Sequence, residues 1–450
     1  MALTGIEIYK FLPKTNCKKC GFPTCLAFAM KVSQKGVDIT VCPDLSPEAK
    51  EALEAAGRPP IRLVTIGSDK RKIEVGTEVV MFRHEKTFYH PTGLMVRIKD
   101  SAPAEAIAKV AGEVAGYSVE RVGMELALDG LALENESKDA ATFVACVEAV
   151  KSKADLPLVL MSSDPAAMGA ALEKAADGKP LIHAATKDNW DKMAELALKH
   201  GCPLAVYEAA GLGELAQLVE QINGAGIEDI VIDPGAHGFA QSLATLTQLR
   251  RLALKKSFRP LGYPIITFPG ESSDTVEAEA VLAAQHVAKY AGIVVLDHFS
   301  PSMAYPLLTL RLNIYTDPQK PIQLTPKIYE IGAPKPDSPV CVTTNFSLTY
   351  FSIAGELESS GYPSWLLVAD TEGLSVLTAW AAGKFDAEKI AKTVKDFNIA
   401  ESISHRSLII PGRVAVLRGE LEEELPDWKI MVGPPEAMDI GGYLKKMWSA

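Results

Sequence analysis

Four cysteines lie near the start of this 450-residue chain, at positions where they could hold a metal together. They are Cys17, Cys20, Cys25 and Cys42, in the spacing C-x2-C-x4-C-x16-C. Thiolates are soft ligands, and four of them bind either zinc or an iron–sulfur cluster. Structural zinc sites commonly combine two short C-x2-C pairs, whereas this segment has only one. The spacing therefore favours an iron–sulfur cluster, with zinc as the alternative.

The loop around the second cysteine supports the same interpretation. Residues 18–22, KKCGF, supply positive charge and backbone amides close to the sulfurs. Both stabilise an anionic 4Fe-4S cluster, whose reduced form carries additional negative charge. The three remaining cysteines, Cys146, Cys202 and Cys341, stand in apolar contexts, and we expect them to be buried.

The charge balance and the hydropathy pattern disfavour several classes of function. The chain has 46 Lys and Arg against 56 Asp and Glu, a net charge of -10 that disfavours wrapping of nucleic acid. No apolar run reaches the roughly 18 residues that predict a membrane span. Residues 1–12 do not resemble a secretory signal, and clustered cysteines in such a chain indicate metal ligation. We therefore expect a cytoplasmic protein in a reducing compartment.

Residues 93–316 repeat one pattern, in which short apolar runs alternate with longer, alanine-rich helical stretches. Continuous apolar runs separated by helices are typical of a parallel sheet covered by helices. Eight such units in succession predict a (β/α)8, or TIM, barrel, with an open doubly wound sheet as the alternative. The predicted strands are Met95–Ile98, Leu128–Leu133, Pro157–Met161, Pro180–Ala184, Pro203–Tyr207, Asp229–Asp233, Pro264–Phe268 and Gly292–Asp297.

The last part of the chain, residues 340–450, alternates in the same way over about four units. This pattern predicts a compact α/β domain of flavodoxin-like or Rossmann-like type. The predicted strands are Val340–Thr344, Trp365–Ala369, Ser407–Ile410 and Lys429–Val432, and the predicted helices lie near 347–360, 373–382 and 386–397.

Breaks in these patterns divide the chain into five parts. A helix is expected from Ser46 to Gly57, and the alternating runs 73–75 and 78–82 predict a β-hairpin. The six prolines within 317–339 predict an extended, semi-rigid linker. The predicted parts are a cysteine-bearing domain at 1–57, a linker with a β-hairpin at 58–92, the barrel at 93–316, the proline-rich linker at 317–339 and the C-terminal α/β domain at 340–450.

Three segments resemble one known family. Residues 14–25, KTNCKKCGFPTC, together with Cys42-Pro43, are similar to the cluster domain of the corrinoid iron–sulfur protein of the reductive acetyl-CoA pathway. Residues 342–350, VTTNFSLTY, and 371–380, TEGLSVLTAW, resemble parts of that family's large, or gamma, subunit. The family has a small cluster domain, a barrel and a corrinoid-binding α/β domain in this order, and the resemblance covers essentially the whole chain.

The resemblance implies a methyl carrier of methyltransferase type, working as a subunit of a multi-enzyme system. Its cofactors would be a 4Fe-4S cluster on the four cysteines and a base-off corrinoid in the C-terminal domain. The cobalt would be the nucleophile, so no side chain is assigned as catalytic. The cluster would return oxidised Co(II) to Co(I) with a low-potential electron.

The resemblance also implies a set of protein partners. The family forms a heterodimer with a homologous small subunit. A separate methyltransferase brings the methyl group from methyltetrahydrofolate, and acetyl-CoA synthase/CO dehydrogenase receives it. A low-potential electron donor would supply the cluster. Neither nucleic acid nor a membrane is expected as a partner.

The corrinoid contacts are expected where the C-terminal strands end, because open α/β sheets bind ligands at the carboxyl ends of their strands. Glycines there allow close approach of the backbone, and hydroxyl groups can bond the corrin amides. The alternative for Ser347 and Ser375 is that they cap helices. The candidate residues are Thr343, Thr344, Asn345, Ser347, Thr349, Gly373, Leu374, Ser375, Val376, Leu377, Thr378, Gly433 and Pro434.

Histidine ligation of cobalt is not predicted. The motif Asp-x-His-x-x-Gly of many cobalamin proteins is missing, and residues 233–238, DPGAHG, have the wrong spacing. His405 is expected to be a surface or strand-edge residue. Polar residues follow the barrel strands without forming a complete catalytic set, so we assign the barrel to partner binding and to covering the upper face of the corrin. These residues are Glu134, Asn135, Asp233, His237, Asp297 and His298.

Two other functions remain open at this point. One is a barrel methyltransferase with an attached zinc or iron–sulfur module and no corrinoid. The other is an electron-transfer or interaction subunit whose C-terminal domain binds a flavin or nothing. Absorption spectra distinguish a flavin from a corrin directly.

Overall fold

The computed structural model describes residues 5–33, 37–46, 49, 59–68, 71–121, 123–317 and 322–448. These residues form two compact units. The first contains the described chain up to Tyr117 and then Ala127–Tyr315, and the second contains Ser118–Leu126 and the described chain from Thr316 onward. None of the described helices is both long and apolar enough to cross a membrane.

The cysteine-bearing segment folds around two short helices, Gly5–Phe11 and Cys25–Ser33, and a 3-10 turn, Ile39–Val41. Ile8, Leu12 and Phe28 form its small apolar core, and Cys25 and Cys42 are buried in that core. The helix predicted from Ser46 to Gly57 lies largely outside the described residues.

A β-hairpin follows, with strands Val64–Ser68 and Arg71–Val75 paired antiparallel. Its apolar side chains belong to the same core as the barrel interior, so the hairpin covers one end of the barrel. The run 78–82, predicted as a strand, does not form one. Glu78 is buried instead, where it accepts a hydrogen bond from the Tyr89 amide at 2.8 Å and pairs with Arg250 at 3.3 Å. A buried carboxylate needs such partners, and this requirement overrides the alternating pattern.

The eight strands predicted for the barrel are all present, and the barrel prediction is confirmed. Each strand pairs in parallel with its neighbour, and a parallel bridge between Ile232 and Ile265 joins the two ends of the row into a nearly closed ring. The bridge decides against the open doubly wound sheet. The strands are Gly93–Lys99, Gly130–Glu134, Leu158–Met161, Leu181–Ala185, Leu204–Tyr207, Ile230–Asp233, Ile266–Thr267 and Ile293–Leu296.

Helices surround the ring, and several begin at the residue types that favour a helix start. Asp139, Asp164 and Thr275 each accept a hydrogen bond from a backbone amide of the first turn, and Pro165 occupies the first turn after Asp164. The helices are Ala104–Gly116, Ala140–Lys151, Pro165–Ala175, Trp190–His200, Leu212–Gly224, Phe239–Lys255, Val276–Ala288 and Pro301–Tyr315.

The second unit contains a five-stranded sheet. Its four parallel strands, Val340–Thr344, Ser364–Ala369, Ser407–Ile410 and Lys429–Val432, match the prediction, and their order is the flavodoxin-like 2-1-3-4. A fifth strand, Ile328–Ile331, pairs antiparallel with Ser364–Ala369. This strand lies within the segment 317–339, so that segment is not a linker throughout.

Helices cover both faces of this sheet. They are Ser347–Ser360, Val376–Ala381, Ala387–Asp396, Arg418–Glu424 and Ile440–Met447. A small hairpin, Ser118–Arg121 with Met124–Ala127, leaves the barrel sequence, and most of it belongs to the second unit. Lys327 pairs with Glu120 of this hairpin at 3.5 Å.

Acid is expected to destabilise the barrel through His286. This residue is 1% exposed, and neither ring nitrogen has a hydrogen-bond partner among the described residues. Burial lowers the pKa of His286 to about 4, against about 6.5 in an unfolded chain. Between these two pKa values the unfolded chain binds more protons than the folded chain. The free energy of unfolding therefore decreases as the pH is lowered, by about 2 kcal/mol from about pH 7 to about pH 5.

Urea unfolding at the two pH values tests this expectation. His286→Leu should lose less stability on acidification than the wild type, whereas His84→Gln, at an exposed position, should behave like the wild type. An equal acid loss in the wild type and in His286→Leu would contradict the assignment.

Candidate metal centre and ligand cavity

Local structure positions each of the four clustered cysteines. Cys25 begins the helix Cys25–Ser33, its amide donates to Asn16 Oδ1 at 2.8 Å, and its sulfur accepts from the Asn16 amide at 3.4 Å. Cys42 ends the 3-10 turn, and its amide donates to the Ile39 carbonyl at 3.2 Å. Asp38 caps that turn by accepting from the Thr40 amide at 2.8 Å.

The loop that carries Cys17 and Cys20 winds tightly. Lys14, Asn16, Lys18 and Gly21 have positive φ angles of 58°, 49°, 63° and 82°. Left-handed residues are uncommon outside glycine, so four of them within eight residues mark a tightly turned backbone.

The cysteines differ in burial and influence one another. Cys17 is exposed and Cys20 half-buried, whereas Cys25 and Cys42 are buried. Burial raises the pKa of the Cys42 thiol, and the charges of Cys20, Cys25 and Cys17 raise it further. The sulfurs of Cys20, Cys25 and Cys17 are thus close enough to Cys42 for their charges to act on its thiol. Among the described residues, no three or more His, Cys, Asp or Glu side chains form a site for a single metal ion.

One ion pair lies beside the sulfurs in residues 1–46, which we call the cysteine-bearing lobe. Lys19 Nζ lies 2.9 Å from Asp44 Oδ1. The hydrogen bond from Lys19 holds the pKa of Asp44 below its usual value, and Asp44 also bonds the Cys17 side chain. This pair connects the first two cysteines to the chain that follows Cys42.

The second unit contains a cavity of about 440 Å³ that reaches the carboxyl ends of its parallel strands. Strand order reverses between Val340–Thr344 and Ser407–Ile410, which pair only at Cys341 and Ile409. At such a reversal the loops diverge and leave a crevice in which α/β proteins bind ligands. The cavity is lined by residues from both of these strands.

Apolar side chains dominate the inner wall of the cavity. Cys341, Ile409, Ile353 and Leu444 contribute to it, and Tyr443 brings an aromatic ring. Cys341 is buried as expected, and its thiol pKa is raised by burial to about 12, so the thiol stays protonated at neutral pH. The wall therefore suits an uncharged, partly aromatic group.

The mouth of the cavity carries charge and tight backbone packing. Arg413 and Glu436 form an ion pair that joins the loops after the last two parallel strands. A Cβ at Gly412 would lie 2.4 Å from the Gly433 carbonyl oxygen, so only glycine allows these loops to approach. Leu348 and Leu377 line the cavity yet remain 67% and 42% exposed.

About half of the residues predicted to bind a ligand in this domain line the cavity. Those that do are Thr349, Ser375, Val376, Leu377, Gly433 and Pro434. Those that do not are Thr343, Thr344, Asn345, Ser347, Gly373, Leu374 and Thr378. Sequence reasoning missed Cys341, Arg413 and Glu436 as lining residues, because their closeness depends on loops far apart along the chain.

Asn345 organises the loop that follows the strand Ser364–Ala369. Its Oδ1 accepts hydrogen bonds from the amides of Thr371 at 3.0 Å and Gly373 at 2.9 Å and from the Thr371 hydroxyl at 2.9 Å. Gly373 has a φ of 73°, and a Cβ there would lie 2.5 Å from the Gln323 side chain. Asn345 and Gly373 therefore shape the loop that carries Ser375 and Leu377.

Two hydroxyl groups on the central strand have no hydrogen-bond partner among the described residues. Thr343 and Thr344 are both fully buried, and each leaves its Oγ1 without a partner. A buried unsatisfied polar group costs about 1–3 kcal/mol. The strand ends at these residues, so a ligand or a water there would remove the cost.

Polar side chains at the barrel strands pair with one another. Arg97, whose side chain is 7% exposed, donates to Asp297 at 2.6 and 2.9 Å and to Glu271 at 3.0 Å. His183 lies 2.9 Å from Asp233. Sequence reasoning missed Arg97 and His183, although a charged residue within a buried apolar run was a usable signal.

Two further polar residues predicted to follow barrel strands also have hydrogen-bond partners. Asn135 donates to Asp100 at 2.8 Å, and His298 bonds the buried Glu279 at 2.7 Å, so Asp297 and His298 do not pair with each other. In the second unit, His405 Nε2 lies 2.9 Å from the Ser338 carbonyl oxygen. Asn135, His298 and His405 therefore each take part in a hydrogen bond within the fold.

Comparisons with known proteins cover the whole chain. The family model "CO dehydrogenase/acetyl-CoA synthase delta subunit" matches residues 63–444, and an Fe-S cluster model matches residues 12–43. The chain is 46% identical over 445 residues to the corrinoid/iron-sulfur protein large subunit of Moorella thermoacetica, covering 99% of each chain. It is 38% identical over 459 residues to the acetyl-CoA decarbonylase/synthase complex subunit gamma of Methanothermobacter thermautotrophicus, covering 100% of each.

Among solved structures, a dihydropteroate synthase of Xanthomonas albilineans is similar to part of the chain. The matched region covers 51% of this chain and 94% of the synthase chain, with 17% sequence identity and a TM-score of 0.36.

Proposed function

This chain belongs to the family of corrinoid/iron–sulfur protein large subunits, and we propose that it carries methyl groups for an acetyl-CoA synthase system. The observation that carries the proposal is the presence, in one chain, of a four-cysteine lobe and of a cavity at the switch point of the C-terminal sheet. The full-length relationship to the curated relatives supports both sites together.

The four cysteines fit a 4Fe-4S cluster. Four soft sulfur donors are the ligand set of such a cluster, and here three of the sulfurs are close enough to Cys42 for their charges to act on its thiol. Cys25 stands at the first residue of the helix Cys25–Ser33, and the start of a helix favours a nearby anion. Cys17, Cys20, Cys25 and Cys42 would hold the cluster.

The C-terminal cavity fits part of a corrinoid. Its volume of about 440 Å³ is lined by apolar side chains, and exposed Leu348 and Leu377 stand at the mouth. Thr349 and Ser375 offer hydroxyl groups on the lining.

When bound, the corrinoid supplies a cobalt that accepts and releases a methyl group, and the cluster supplies the low-potential electron that restores the cobalt after oxidation. This chain's residues bind and position. Asn345 holds the loop that carries Ser375 in place, and the Arg413–Glu436 pair fixes the two loops at the mouth. The apolar wall around Cys341 excludes water from the bound group.

The proposed partners follow from the family. They are a homologous small subunit in a heterodimer, a methyltransferase that uses methyltetrahydrofolate, acetyl-CoA synthase/CO dehydrogenase, and a low-potential electron donor. The match to a model named for a delta subunit supports descent from a common ancestor with a second subunit type.

Labelled methyl groups test the proposed function. The chain, loaded with corrinoid, paired with its small subunit and reduced, should acquire close to one labelled methyl group per cobalt from methyltetrahydrofolate when the methyltransferase is present. Adding acetyl-CoA synthase should remove the label. Label that is acquired by a corrinoid-free preparation would favour the barrel-methyltransferase alternative instead.

A further inference from the structure

The cysteine-bearing lobe has the opposite charge balance to the chain as a whole. Residues 1–46 contain six lysines and three acidic residues, whereas the full chain has a net charge of -10. The described lysines of the lobe are all exposed: Lys10, Lys14, Lys18, Lys19 and Lys31. A positively charged region on an otherwise acidic protein attracts acidic partners to that region.

The lysines concentrate where a cysteine ligand reaches the surface. Cys17 is the exposed member of the four, and Lys14 and Lys18 flank it on the same loop. Lys19 is close enough for its charge to interact with the sulfurs of Cys17 and Cys42. Electron transfer weakens steeply with distance, so a partner that delivers electrons must reach this edge rather than the side buried against Phe28.

The same lobe also exposes apolar side chains. Leu26 and Met30 are 44% and 48% exposed and lie one turn apart on the helix that begins at Cys25. Phe11 is 40% exposed on the neighbouring helix. Transient interfaces combine a small apolar centre with charged residues that set orientation and association rate.

We propose that the face formed by Lys14, Cys17 and Lys18 is the docking surface for an acidic electron-carrying protein. This inference rests on the proposed function, because it assumes a cluster on the four cysteines. One electron leaves the partner, which is oxidised, and enters that cluster, which is reduced, and no covalent bond forms or breaks. The two lysines steer the partner's acidic surface onto the exposed cysteine edge.

Binding of a purified, oxidised, acidic ferredoxin to the full-length chain tests the proposal without turnover. Association and dissociation rates are measured from about 0.1 M to about 1 M salt, where the screening length falls from about 10 Å to about 3 Å. We expect the association rate to fall steeply with salt. The double variant Lys14→Asn/Lys18→Asn should associate roughly three- to tenfold more slowly at the lower salt. Asparagine tolerates the left-handed backbone at both positions.

The matched control is Lys10→Asn/Lys31→Asn, which removes the same charge from the two helices of the lobe. It should change the rate by less than half as much. An equal effect of the two double variants would overturn the assignment of the face, because total lobe charge would then explain the binding. Binding by the wild type that is insensitive to salt would overturn it as well, whatever happens to the folding of the variants.

Iron and corrinoid are measured on the same samples, which separates the two claims. Protein that contains neither the iron nor the corrinoid would refute the proposed function. Protein with both cofactors but without salt-dependent binding would refute the docking surface alone. A slower reduction of the variant by titanium(III) citrate as well as by ferredoxin would also overturn the proposal, because the lysines would then act on transfer within the chain.

Discussion

Replacing Cys20 with alanine should abolish reductive reactivation of the oxidised protein and leave methyl transfer by the pre-reduced protein intact. Cys20 is half-buried beside the small core of the lobe, and alanine introduces no clash there. Three thiolates cannot complete a four-cysteine site. The iron content should therefore fall well below the value of about four atoms per chain that a 4Fe-4S cluster gives. The C-terminal cavity, proposed to bind the corrinoid, lies in the other unit and keeps all of its lining residues.

Cys202→Ala is the matched control for this change. Cys202 is buried in the barrel, and its side chain faces the His200 carbonyl oxygen at 3.7 Å. Its replacement should cost some stability and leave iron content and reactivation unchanged. Iron is measured by chemical analysis, and reactivation by recovery of methyl transfer after air oxidation and treatment with a low-potential donor. Full reactivation of Cys20→Ala would refute the repair role of the cluster.

Filling the C-terminal cavity should remove the corrinoid and leave the cluster in place. Ser352 lines the cavity from the helix Ser347–Ser360, and Ser352→Trp would place a bulky ring in a space of about 440 Å³. We expect corrinoid affinity to fall at least about tenfold, equivalent to about 1.4 kcal/mol. Equilibrium dialysis with the corrinoid, followed by cobalt analysis, measures the change.

Ser359→Trp provides a close control on the same helix. Both serines are exposed, and each hydroxyl bonds the carbonyl four residues earlier, at 2.9 Å for Ser352 and 2.7 Å for Ser359. The two positions lie about two helical turns apart, and Ser359 does not line the cavity. Equal corrinoid affinities in the two variants would place the corrinoid elsewhere on the chain.

The barrel was predictable from the sequence because most residues of its strands are buried. Strands such as Leu158–Met161 and Ile293–Leu296 are wholly buried, so every residue is apolar and the strands stand out as continuous runs. The parallel strands of the C-terminal sheet were predictable for the same reason. The regular repeat of eight units then decided the architecture.

The elements that were missed lack that signal. The hairpin strand Ser118–Arg121 alternates between exposed and half-buried residues and is only four residues long. Ile328–Ile331 is a short edge strand among prolines, and the composition of its surroundings concealed it. The run 78–82 shows the opposite error, because a strand was predicted where none forms. The side chain of Glu78 is buried against Arg250 instead.

The candidate sites divide in a similar way. Local spacing on one loop was enough to predict the cysteine set, because three of its members lie within nine residues. The cavity is built from loops separated by long stretches of chain, and only the fold brings Arg413 near Glu436 or Tyr443 near Cys341. Strand ends predicted residues near the cavity but could not separate those that line it from those that support it, such as Asn345.

Iron and cobalt per chain, measured on protein purified without oxygen from its native host, test the central claim most directly. A chain that carries both cofactors should contain about four irons and about one cobalt, with the absorption spectrum of a corrin. Zinc in place of iron, with no cobalt even after reconstitution with a corrinoid, would contradict both the cluster and the methyl-carrier function.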